Sequence, residues 1–90
     1  LCTHTVIGEK IDGTNEYDKM LDDYSNISRK VAAETSTQML DLRAAFMSYL
    51  KENNLENADK GILTGDTVHL NNNGNSVLAG LMLDALYVPK

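Results

Sequence analysis

The sequence holds 90 residues with a net charge of −5 at neutral pH, 42% of them apolar and 23% charged, which fits one small domain and excludes two. No basic cluster interrupts this acidic balance, which argues against nucleic acid or an anionic membrane surface as a partner, and no segment approaches the ~20 apolar residues of a bilayer span. A chain this short buries only roughly two-thirds of its unfolded surface, so it is stable alone only if its layers are complete.

The chain opens on Leu1-Cys2-Thr3 without an initiator Met or a charged leader; the expectation is a cut beginning, with any targeting segment upstream. Leu1 to Thr3 is short, apolar and β-compatible, and Val6 to Asn15, with Gly8, Asp12, Gly13 and Asn15, has the chemistry of a surface loop. From Tyr17 to about Glu34, apolar residues recur at Tyr17, Met20, Leu21, Tyr24, Ile27 and Val31 with charges between them, the period of an amphipathic helix. Asn26-Ile27-Ser28 fits a glycosylation sequon, but it falls inside that predicted helix and carries no weight. Gln38 to Leu42 is too brief for a helix and suits a buried strand.

A second helix is predicted over Leu42 to Asn53, with Leu42, Ala45, Phe46, Tyr49 and Leu50 on one face and Asp41 placed to cap it. Leu55 to Gly65 forms a polar connection into Ile62-Leu63-Thr64, and the string Asp66-Thr67-Val68-His69-Leu70 follows. A third helix is predicted from about Asn72 to Leu86, apolar on more than one side, as in a helix mostly buried in a larger body, with Pro89 near its end. This alternation implies an α/β layered domain with a parallel sheet. Only two strands are visible, so the domain is expected to be incomplete, its missing strands supplied from an upstream part of the polypeptide.

The chemistry lies in residues 66 to 75. An Asp three residues before a His on a loop can fold back so that its carboxylate accepts a hydrogen bond from imidazole Nδ1, which leaves Nε2 free to take a proton from a hydroxyl. Asn71 or Asn72 can cap the helix that follows and so fix the loop. The structural alternative for the same spacing is a surface turn.

The longer string Gly65-Asp66-Thr67-Val68-His69-Leu70-Asn71-Asn72-Asn73-Gly74-Asn75, followed by Leu78-Ala79, resembles the last conserved block of the SGNH hydrolases, also called GDSL esterases. Leu1-Cys2-Thr3-His4-Thr5-Val6-Ile7-Gly8 resembles the strand end and Thr-Pro loop before the family's penultimate crossover, and Leu40-Asp41-Leu42-Arg43-Ala44-Ala45-Phe46 its next strand-to-helix junction, so the likeness covers most of the chain. The resemblance implies the C-terminal part of a three-layer α/β/α SGNH-hydrolase domain, flavodoxin-like with a parallel sheet. It also implies a Ser-His-Asp triad in which His69 is the general base and later general acid and Asp66 orients it. The nucleophilic Ser of the family's Gly-Asp-Ser motif and the Gly and Asn that help form its oxyanion hole are not in these residues. Serines 25, 28, 36, 48 and 76 lack that context. The substrate implied is a carboxylic ester, an acyl ester or an acetylated carbohydrate, and the missing N-terminal half of the same domain is the implied partner. No cofactor is implied. The alternative is a binding or structural fragment that keeps the shape without the chemistry.

Three other features are set aside. Thr67, in a nucleophile-like Gly-Asp-Thr, lies between Asp66 and His69 and is too tightly tied to serve that same His. A calcium loop over Asn71, Asn73 and Gly74 would need His69 as first ligand and Gly80 in the closing acidic place. His4 with His69 does not define a metal site, and His4 stands where the family commonly has Pro, which leaves its role open. The single cysteine, Cys2, rules out an internal disulfide and a zinc site on paired thiolates.

Overall fold

Helices form where the 3.6-residue period is sustained. The computed structural model describes residues 1–86; the expected end signal at Pro89 lies outside the described residues. Helix α1 spans Asp18–Thr35, α2 Leu42–Asn53 and α3 Asn72–Leu86, within about a residue of the bounds expected. Helix α1 stops at Ser36 in the left-handed conformation (φ 53°), where the Thr37 N–H reaches back to the Ala32 carbonyl at 2.9 Å, a bond that closes orphan carbonyls at a helix end. Helix α2 is capped by Asp41, whose side chain accepts from the Ala44 N–H at 3.2 Å. None of these helices is long and apolar enough to cross a membrane.

The expected α/β architecture with a parallel sheet is corrected by the structure: among the described residues there are three helices and no strand. The two segments expected as strands, Leu1 to Thr3 and Gln38 to Leu42, meet at a single parallel bridge between Cys2 and Leu40. Thr3 N–H donates to the Leu40 carbonyl at 3.1 Å and Leu40 N–H to the Leu1 carbonyl at 2.8 Å. The pairing cannot lengthen because α1 ends at Thr35 and α2 begins at Leu42, and because Thr3 is already turned to the start of α2. Its hydroxyl donates to Asp41 at 2.9 Å and accepts the Arg43 N–H at 2.9 Å. β-Propensity describes a residue that fits a pleated, half-buried surface; here helix capping claims the same groups.

Val6, Phe46, Leu50 and Leu63 form the buried cluster, with Ile11, Met47, Ile62, Leu70, Val77, Leu78 and Leu81 packed against it. Full burial of a side chain of this kind is worth about 1.5–3 kcal/mol. The cluster joins α2 and α3 to the loops on either side of them, and Val6 shows that the segment read as a surface loop is partly core. Helix α3 is less buried than its composition suggests, since Met82, Leu83 and Leu86 are all exposed.

Helix α1 is held differently. Of its apolar stripe only Leu21 is buried; Tyr17, Met20, Tyr24, Ile27 and Val31 are exposed. Polar ties fasten it instead. Arg43, 3% exposed, donates to Asp18 (3.1 Å), to Asp22 (2.5 Å) and to the Thr5 carbonyl (2.9 Å). Arg29 grips both oxygens of Asp41 at 2.7 and 2.9 Å.

The Asp41 carboxyl is pulled down to about 2, chiefly by the hydrogen bond from Arg29 and further by the Ala44 N–H and the Thr3 hydroxyl. A carboxyl whose folded pKa lies below its unfolded value stabilises the fold above the unfolded pKa, and that contribution is lost as pH falls through the folded one. Stability is therefore expected to decline between about pH 4 and pH 2, and Asp41→Asn should flatten that decline. Urea unfolding at stepped pH measures the slope; equal slopes for the two proteins would remove Asp41 as its source.

Candidate active site

The segment Ile62-Leu63-Thr64 runs through the interior, with Leu63 and Thr64 fully buried. It then enters a tight turn closed by the antiparallel bridge between Thr64 and Leu70 and by the Gly65 N–H donating to the His69 carbonyl at 3.0 Å. Asp66 and His69 sit in this turn. Asp66 Oδ1 accepts from the Val68 N–H at 3.0 Å and the His69 N–H at 2.7 Å, the local bonding that makes Asp a turn former. Its second oxygen, Oδ2, lies 2.7 Å from His69 Nδ1. One carboxylate thus fixes both the backbone and the ring of His69.

The electrostatics follow from those bonds. The Asp66 carboxyl is lowered to about 2, first by the His69 backbone N–H, then by the His69 ring, then by the Val68 N–H. It is ionised at neutral pH and makes Nδ1 the protonated ring nitrogen, which leaves Nε2 as the basic one. The ring stands at the surface, with the His69 side chain 85% exposed and that of Asp66 57% exposed.

Supports converge on the turn from both sides. Asn71 caps α3 by accepting the Gly74 N–H at 2.8 Å, and its own N–H donates to the Leu63 carbonyl at 2.9 Å. Gly74 packs directly on that carbonyl, leaving no room for a Cβ. Asn73 donates to the Ile62 carbonyl at 3.0 Å. From the other side comes Glu9, fully buried, whose carboxylate accepts from the N–H groups of Ile62 (3.1 Å), Leu63 (2.7 Å) and Thr64 (3.1 Å) and from the Thr64 hydroxyl (2.5 Å). Sequence reasoning missed Glu9, and an acidic residue between Gly8 and Lys10 gives no signal of burial.

The other sequence candidates lie apart from this arrangement. His4 is exposed and packs edge-on against Tyr24, ring centroids 6.3 Å apart. Cys2 is a free, exposed thiol. Thr67 is held at φ 76°. Ser25 is buried in α1 with an unpartnered hydroxyl, Ser36 ends that helix, and Ser48 and Ser76 are exposed. Among the described residues no serine bonds to His69, and no group of three or more His, Cys, Asp or Glu side chains could hold a metal ion.

No family model matches the sequence, and no curated protein matches it. Among solved structures the chain is similar, over nearly its whole length, to an esterase. That structure is the crystal structure of an acetyl xylan esterase, AlAXEase, with 49% sequence identity and a TM-score of 0.94 across 97% of this chain. The chain spans 44% of the length of that esterase.

Proposed function

We propose that this chain is the C-terminal portion of an SGNH-type serine hydrolase acting on carboxylic esters, with His69 as the base of its triad and Asp66 as the residue that orients it. The observation that carries the reading is the 2.7 Å contact between Asp66 Oδ2 and His69 Nδ1 on an exposed ring. The similarity to an acetyl xylan esterase supports it and points to acetyl esters of a polysaccharide such as xylan as the substrate class.

In this reading the nucleophilic serine and the oxyanion donors come from residues outside the 90. His69 Nε2 takes the serine proton as the hydroxyl attacks the ester carbonyl, then returns it to the leaving alcohol; water repeats the sequence to release acetate. Asp66 keeps the imidazole in the tautomer and orientation this requires and offsets the charge of the imidazolium. The 90-residue chain alone is expected to be inactive. A serine-reactive phosphonate should label the full polypeptide once per molecule and leave the isolated chain unlabelled, as read by intact mass. Labelling of the isolated chain would place the nucleophile within it and defeat this assignment.

A further inference from the structure

Glu9 is an unusual group to find inside so small a body. It is fully buried, and the partners the structure gives its carboxylate are three consecutive backbone N–H groups and the Thr64 hydroxyl, with no Lys or Arg among them. Taking a carboxylate out of water is costly unless its lone pairs are satisfied; here the Ile62 and Leu63 amides donate to Oε1 and the Thr64 amide to Oε2, and successive amides turned to one side form a concavity that accepts an anion. Gln would match Glu in shape yet turn a donor NH2 onto one of those amides.

These contacts continue into the turn. Thr64 Oγ1 donates to Glu9 Oε2 and accepts the Thr67 N–H at 3.2 Å. The Gly8 N–H donates to the Thr67 carbonyl at 2.7 Å. Residues 8 and 9 therefore fix both backbone polar groups of Thr67, one directly and one through Thr64. Thr67 is β-branched and sits at φ 76°, a conformation such residues avoid unless their surroundings impose it. That left-handed residue is what brings the N–H groups of Val68 and His69 back to Asp66 Oδ1.

We infer that Glu9 is a positioning residue for the Asp66–His69 pair, acting through Thr64 and Thr67, an inference that rests on the catalytic reading of that pair. It does not touch the reacting atoms. It holds the turn whose geometry sets the carboxylate against the imidazole. A misplacement of the order of 1 Å in such a site can cost about 10²-fold in rate.

The test uses the full polypeptide with p-nitrophenyl acetate. Glu9→Gln is expected to lower kcat by about 10²-fold while KM stays within about twofold. Thr64→Val should move kcat the same way and Thr64→Ser should restore it, because Ser keeps the bridging hydroxyl. The low-field NMR signal of the His69 Nδ1 proton should disappear in Glu9→Gln and Thr64→Val, as in Asp66→Asn, and persist in Thr64→Ser. If Glu9→Gln does not fold, Thr64→Val decides. Wild-type turnover per folded molecule in Thr64→Val and in folded Glu9→Gln, alongside a His69→Ala variant that has lost activity, would overturn the role of Glu9 alone. Wild-type turnover in His69→Ala would remove the catalytic reading, and the role of Glu9 with it.

Discussion

If His69 is the base we propose, His69→Ala in the full polypeptide is expected to lower kcat for an acetyl ester by about 10⁴-fold or more, since loss of a triad member leaves only the catalysis supplied by substrate binding and the oxyanion donors. The magnitude follows from what the proposed role asks of the ring: to take a proton from a hydroxyl that is a poor nucleophile at neutral pH, and later to deliver one to the leaving alcohol. Asp66→Asn should cost less, between about 10² and 10⁴-fold, because the base survives but its orientation and tautomer are no longer imposed. Folding should be little affected in either variant, as both side chains are exposed. Steady-state kinetics with matched unfolding curves separate rate from stability. Activity undiminished in His69→Ala would leave the 2.7 Å contact as a surface turn and nothing more.

The largest expected effect on stability lies at Arg43. Arg43→Ala strips a guanidinium that is 3% exposed from the Asp18 carboxylate, itself 12% exposed, and from the Thr5 carbonyl. Removing one partner of a buried pair is costly because the other charge is left behind, typically about 3–5 kcal/mol. Asp18 keeps the Asn15 amide as a donor, which places the expected loss near the lower end, about 3 kcal/mol. Asp22 is the internal control: it meets the same guanidinium but is 61% exposed, so Asp22→Ala should cost no more than about 1 kcal/mol. Urea midpoints at constant slope report both. Equal losses in the two variants would mean that burial is not what gives the Arg43 contacts their weight.

These contrasts show which features a sequence makes legible. Helix bounds and the cap at Asp41 were readable because they depend on neighbours within a turn. The geometry of Asp66 and His69 was readable for the same reason: every bond that Asp66 makes to His69 closes within three residues. Glu9 was not, since its partners lie 53 to 55 residues away and a buried acid is written with the same letter as a surface one. Arg43, with Asp18 25 residues before it, was hidden likewise. The expected sheet is absent among the described residues: short β-compatible runs reveal propensity and not the competing claim of a helix cap on Thr3 and Asp41. The stripe on α1 was correctly periodic, but a period says which residues share a side and not whether anything covers it.

Helix α1 and the Asp66–His69 turn draw on separate sources of cohesion. The first depends on guanidinium–carboxylate contacts to Arg29 and Arg43, the second on backbone amides gathered by Glu9, Asn71 and Asp66. Sites with no shared partners combine nearly independently in their energetic effects. Changes along the outward side of α1 can therefore accumulate, altering charge or stickiness there, without disturbing the alignment of carboxylate and imidazole.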